Sequence, residues 1–149
     1  AFTGLGAPYW DSEATGLFTG ITRVTGRNEL VRAVLDSIAY QIQDITSLMQ
    51  QESGQVVRAL RVDGGPTRNS YLMQFQTDIL DRPVEVPETE ELSAMGAAYG
   101  AGIAVGLYDR QQVFDQVRRR VYSCRMAAEC RQELLAGWKA AVRRTLARV

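Results

Sequence analysis

The stretch Leu60-Arg61-Val62-Asp63-Gly64-Gly65-Pro66-Thr67-Arg68-Asn69 decides how this chain is read. A short apolar run ends in Asp-Gly-Gly, and Leu72, Phe75, Ile79 and Leu80 follow at helical spacing. That order predicts a strand over 56–62, a tight glycine turn, and a helix over 67–80. Adjacent glycines let a backbone approach another molecule closely, because no Cβ stands in the way. A helix starting just after the turn presents unpaired N–H groups and the positive end of its dipole. The arrangement suits a nucleotide, although a plain tight turn accounts for the same residues more often. Asn69 falls in the first turn of the helix, where its amide points toward the open end that the glycines leave free.

Working outward, Asp81-Arg82-Pro83 ends the helix. Val84-Glu85-Val86-Pro87 reads as a second short strand, with Pro87 at its end or at a sheet edge. The acidic run Glu88-Thr89-Glu90-Glu91 suits a helix N-terminus; a metal site from these carboxylates is the weaker reading. The helix it opens, 92–105, carries Gly96 and Gly100 on one face, which predicts close backbone packing against a neighbour. Upstream, Leu30, Val31, Val34, Leu35, Ile38, Ile42, Ile45, Leu48 and Met49 recur at three and four. They predict a helix of about six turns along one face of a sheet, capped by Asn28 and closed by Gly54. Tyr40 and Gln41 within it are read as packing and a solvated polar face.

Before that helix, residues 1–16 read as loop and Leu17–Ile21 as a short strand. Tyr9 and Trp10 are expected to plug a contact rather than stack on a ligand. Past the glycine helix, Asp109 caps a short helix over 111–116, Val121-Tyr122 is extended, and 134–146 forms a last amphipathic helix. Strand, helix, strand, helix with short connections implies an α/β sheet with helices across its faces. The chain shows no internal repeat, low-complexity tract or linker, so 1–149 is read as a single domain.

Composition narrows the chemistry. Of 149 residues, 46% are apolar and 23% charged, ordinary for a globular protein with a real core. Net charge is zero, so no general affinity for nucleic acid or anionic membrane is expected, and Arg118-Arg119-Arg120 is read as a solvated helix end. The chain has no histidine, which removes Ser-His-Asp, Cys-His and His-based zinc chemistry from within it. Its one lysine, Lys139, stands near the C-terminus, so a Gly-Lys-Ser/Thr phosphate loop is absent. Cys124 and Cys130 lack metal-ligand spacing and read as reduced thiols of a cytosolic protein. The apolar run 94–108 is too short to span a membrane, and no leader is expected. The start at Ala1 suggests a piece of a longer protein, or a processed one.

Several blocks, taken together, resemble the FGGY carbohydrate kinases. They are Phe2-Thr3-Gly4-Leu5-Gly6-Ala7-Pro8-Tyr9-Trp10-Asp11; Ser37-Ile38-Ala39-Tyr40-Gln41 with Asp44; and Leu60 to Gly65 with Asn69. Leu72-Met73-Gln74-Phe75-Gln76-Thr77-Asp78-Ile79-Leu80, Gly96-Ala97-Ala98-Tyr99, Ala101-Gly102 and Gly137-Trp138-Lys139 complete the set. Pro66-Thr67-Arg68 stands where that family has small residues. The resemblance implies an actin-like, ribonuclease-H-like ATPase fold, this chain being most of the C-terminal domain with a mixed sheet flanked by helices. It implies that Gly65 and Asn69 contact the nucleotide and that Gly64 completes the turn.

It also implies ATP as phosphoryl donor, magnesium held by ligands outside this chain, and a small polyol or sugar bound mainly by the missing N-terminal part. The Pro8-Tyr9-Trp10-Asp11 block favours glycerol; a pentulose or sugar acid, or a non-catalytic actin-like module, are the alternatives. The catalytic aspartate and phosphate loops would lie upstream, leaving no catalytic residue here and the isolated chain inactive. A cytoplasmic homo-oligomer is expected.

Overall fold

A computed structural model describes residues 3–89, 92–115 and 118–146. Its longest element, α1 (Arg27–Ser53), forms where the three-and-four apolar spacing runs. The N-cap is Gly26 rather than Asn28: the extended glycine donates its N–H to the Glu29 carboxylate at 2.8 Å, one turn into the helix. Gly54 closes the other end as expected, in the left-handed region at φ 66°, where a side chain would be strained.

Strand β1 (Leu60–Arg61) is shorter than the apolar run 56–62 suggested. Val56 is solvent-exposed and Val57, Leu60 and Val62 only half-buried, so the run is not the fully buried strand its composition implied. A 3-10 turn over Gly65–Arg68 intervenes before α2 (Ser70–Leu80), which therefore starts later than residue 67. Asp81, left-handed at φ 54°, ends α2, and Pro83 leads into β2 (Val84–Pro87). Then come α3 (Leu92–Ala104), α4 (Arg110–Asp115), β3 (Arg119–Tyr122) and α5 (Ala128–Leu146).

Among the described residues the strands make one mixed sheet in the order β1-β2-β3. Leu60 pairs with Val84 in parallel, and Val84 pairs with Tyr122 antiparallel. The central place of β2 leaves Pro87 at a strand end, where its missing N–H costs no ladder bond. Arg119 and Arg120 belong to β3, so the arginine triplet is not a helix end.

The core gathers around α2. Leu72, Met73, Phe75, Ile79 and Leu80 pack with Ala39 of α1 and with Val84 and Val86 of β2. Ile38, Leu60, Tyr122, Leu134 and Leu135 close the rim. The long helix α1 thus rests on α2 and α5, helix against helix, rather than along the sheet face. A smaller cluster of Leu5, Ala14 and Val142 is joined by Tyr9 and Trp138. The Tyr9 hydroxyl donates to Asp44 Oδ2 at 2.9 Å, and Trp138 Nε1 donates to the same oxygen at 2.7 Å. Tyr9 therefore plugs a contact, its hydroxyl pushed up to about 12 by burial and by the Asp44 carboxylate, whereas Trp10 lies in solvent.

Two further expectations change, and one is met in part. Residues 17–21 form no strand, and Leu17, Phe18 and Ile21 are exposed. Asp109 does cap α4, its Oδ1 accepting from the Gln111 N–H at 2.8 Å, but Gln116 lies outside the described residues, as do Glu90 and Glu91. Gly96 and Gly100 pack against nothing: a Cβ on either would meet no atom within 4 Å. The glycine that packs is Gly102, where a Cβ would overlap the ring of Tyr108, itself edge-on to Tyr99 at 5.7 Å.

These two environments predict opposite signs. In denaturant melts of the 149-residue chain, Gly96→Ala raises stability by about 0.5–1 kcal/mol through the lost backbone entropy of glycine. Gly102→Ala lowers it, since the Tyr108 ring must leave the helix surface, a steric cost of about 1–3 kcal/mol.

Candidate functional site

The Gly64-Gly65 turn emerges from β1, the strand that hydrogen-bonds to β2 through the Leu60 N–H to Pro83 O and the Val62 N–H to Glu85 O. Gly64 has φ 89° and ψ 177°, a combination that only glycine adopts freely. Its carbonyl accepts from the Thr67 N–H at 3.1 Å and from the Thr67 hydroxyl at 2.7 Å, so the turn is held from both the main chain and a side chain. Pro66 sits in the first positions of the 3-10 turn, where no N–H is needed and its fixed φ suits the bend.

Gly65 lies outside the left-handed region, and a Cβ there would meet nothing within 4 Å beyond its chain neighbours. The two glycines therefore do different work. Gly64 is required by the backbone; Gly65 leaves an open face onto which a flat or bulky group can descend.

Asn69 sits at the N-cap of α2 rather than inside its first turn. Its Oδ1 accepts the Leu72 N–H at 3.1 Å, taking up one of the four orphan donors of the helix start. The expectation that its whole amide faces the open end is corrected accordingly: the oxygen is turned to the helix. The structure does bring Gly64, Gly65 and Asn69 together within one turn, joined further by the Asn69 N–H to Pro66 O bond at 3.1 Å.

Sequence reading missed the group beside the turn. The Tyr71 hydroxyl donates to Asp36 Oδ1 at 2.6 Å and accepts from Arg32 Nε at 2.8 Å. Arg32 and Asp36 stand one turn apart on α1, a spacing visible in the sequence but unassignable without knowing what faces it. Among the described residues no group of three or more His, Cys, Asp or Glu could hold a metal. Cys124 and Cys130 are unbridged, and burial raises the Cys124 thiol above its ordinary range. No described helix is long and apolar enough to cross a membrane.

The family model for the C-terminal domain of the FGGY family of carbohydrate kinases matches residues 1–105. The chain belongs to that family. Its α/β architecture is the actin-like ATPase fold of the FGGY kinases. Glycerol kinase of Haemophilus influenzae is 51% identical over 148 residues, 98% of this chain and 29% of that protein. Glycerol kinase of Brevibacillus brevis is 50% identical over 98% of this chain and 30% of its own length. Plasmodium falciparum glycerol kinase, solved with ADP, superposes with a TM-score of 0.90 at 37% identity, covering all of this chain and 30% of that one. A ligand-bound xylulose kinase from Lactobacillus acidophilus gives 0.79 at 26%, over 95% of this chain and 29% of its own. The chain thus spans about 30% of the relatives it matches.

The geometry makes a separable prediction for Asn69. Asn69→Ala removes the cap and lowers stability by about 1 kcal/mol, whereas Asn69→Asp keeps a capping oxygen and stays near the starting stability. Paired denaturant melts of the two variants check it.

Proposed function

We propose that residues 1–149 are a single domain, the nucleotide-holding C-terminal domain of an ATP-dependent glycerol kinase. The full protein would transfer the terminal phosphoryl group of ATP to a hydroxyl of glycerol, giving glycerol 3-phosphate and ADP. The observation that carries this reading is the 47–51% identity to glycerol kinases over nearly the whole chain. The ADP-bound glycerol kinase also superposes more closely than the xylulose kinase, 0.90 against 0.79, which favours the polyol over a pentulose.

The proposed role of each residue follows from its local chemistry. Gly64 holds the backbone in the turn, and Gly65 gives the nucleotide an unobstructed approach. Asn69 ends the wall, at the N-cap of α2. With the Leu72 N–H already bonded to Asn69, part of the anion-attracting capacity of the helix start is spent, and this wall suits the nucleoside better than the phosphates. Magnesium would neutralise charge on the transferring phosphoryl group, and its ligands, the catalytic base and the phosphate loops belong to the rest of the protein. Free thiols support a reducing cytosol.

Because phosphoryl transfer needs the groups proposed to lie in the rest of the protein, the isolated 149 residues show no turnover with glycerol and magnesium-ATP, and the full-length protein does. Turnover by the isolated chain would overturn the division of labour. A full-length protein that binds ATP but phosphorylates no polyol or sugar would mark a non-catalytic module instead. In the full-length enzyme Gly65→Val abolishes ATP binding, and a melting profile run beside it checks that the variant, whose new side chain must also clear Pro66, is folded. Unchanged ATP affinity in that folded variant would remove Gly65 from the site.

A further inference from the structure

The contact between α1 and the first turn of α2 follows the proposed nucleotide wall directly along the chain. Tyr71 is the second residue of α2 and follows the Asn69 cap by two positions. Its phenol is used in both directions, donating to Asp36 at 2.6 Å and accepting from Arg32 at 2.8 Å. Arg32 also approaches Asp36 Oδ2 at 3.5 Å, and its guanidinium carbon lies 5.6 Å from the centre of the Tyr71 ring. That ring stacks on Phe75 at 6.0 Å, one turn along the same helix and fully in the core. Half-burial pushes the Asp36 carboxyl above its usual range against the opposing pull of Tyr71 and Arg32, while the Tyr71 hydroxyl is raised to about 12.

We propose that Arg32, Asp36 and Tyr71 act as a positioning triad that fixes the start of α2 on α1, and through Asn69 sets the nucleotide's seat on Gly65. The inference rests on the nucleotide reading of the Gly64–Asn69 turn. A second polar tie between the same helices, Gln76 Nε2 to Ala39 O at 3.3 Å, lies five residues further along α2. Two ties at different heights fix rotation as well as distance, and only the Tyr71 tie is close enough to the cap to govern the turn. The triad sits at the surface, with the Arg32 side chain 64% accessible and the Asp36 side chain, at 16%, turned inward. Exposed ion pairs and hydrogen bonds of this kind contribute little to global stability. A small displacement of a binding wall, by contrast, is felt strongly in binding and rate. The triad therefore matters for placement more than for folding.

The test is steady-state kinetics on the full-length enzyme. Tyr71→Phe keeps the ring and its Phe75 stack but removes the hydroxyl. It raises the KM for ATP on the order of two- to tenfold, the worth of about one hydrogen bond, with kcat, the KM for glycerol and the melting temperature nearly unchanged. Asp36→Asn, which keeps an acceptor, retains most of the ATP affinity, whereas Asp36→Leu matches Tyr71→Phe. In Tyr71→Phe/Asp36→Leu the two effects on KM for ATP are not additive. An unchanged KM for ATP in Tyr71→Phe, equal shifts in both KM values, or additive behaviour overturns the triad. If Gly65→Val abolishes ATP binding in the same experiment, such a result strikes the triad alone. If Gly65→Val leaves ATP binding intact, the nucleotide site falls and the triad with it.

Discussion

Burial of α2 on almost every side is the constraint on which the rest of the structure depends. A helix sunk among α1, α5 and the sheet must find a partner for each polar group it carries inward, since an unpaired buried donor or acceptor costs about 1–3 kcal/mol. Gln76 reaches the Ala39 carbonyl of α1, and the Thr77 hydroxyl reaches the Tyr122 carbonyl of β3 at 3.3 Å. Asp78 Oδ1 accepts from the Arg125 N–H at 2.7 Å and from Gln74 Nε2 at 3.1 Å. Each bond points in a different direction. Together they fix where α2 lies relative to three other parts of the chain, with fully buried Ile79 and Val84 filling the space between.

That fixed helix is what makes the glycine turn a usable wall. Its downstream end is anchored by the Asn69 cap and its upstream end by the β1–β2 pairing, so Gly64 and Gly65 are presented from a rigid base. The opposite side is open. Gly65 faces free space, and α1 leaves apolar residues exposed, as expected of a chain that spans about 30% of its relatives. In the proposed kinase the 149 residues supply placement, and the chemistry of transfer rests with groups outside them.

Much of this was legible in the residues. The apolar period of three and four located α1 and α5, Gly54 marked the end of α1, and Leu72, Phe75 and Ile79 marked the buried face of α2. What escaped the sequence was set by tertiary contact. Val56-Val57 reads as strand because β-branched residues favour extended chain, but only Leu60–Arg61 finds a ladder partner. Leu17–Ile21 alternates like a strand and finds no ladder partner among the described residues. Gly96 and Gly100 share a helix face with no neighbour behind it, whereas Gly102, which nothing in the spacing singled out, meets Tyr108. At the turn, Gly64 was readable because its φ selects glycine, and Asn69 because a helix start selects a side-chain acceptor; Gly65 answers no such backbone demand. Tyr71 was not readable, because its role depends on Arg32 and Asp36, separated from it by the length of α1 and a strand.

The measurement that tests the central claim most directly is amide hydrogen exchange of the full-length protein with and without ADP. The nucleotide wall proposed here predicts that ADP slows exchange at the N–H groups of Gly64, Gly65, Thr67 and Asn69 while leaving the core of α2 as it was. Protection confined to other segments, with the 64–69 turn exchanging equally fast in both states, would contradict it.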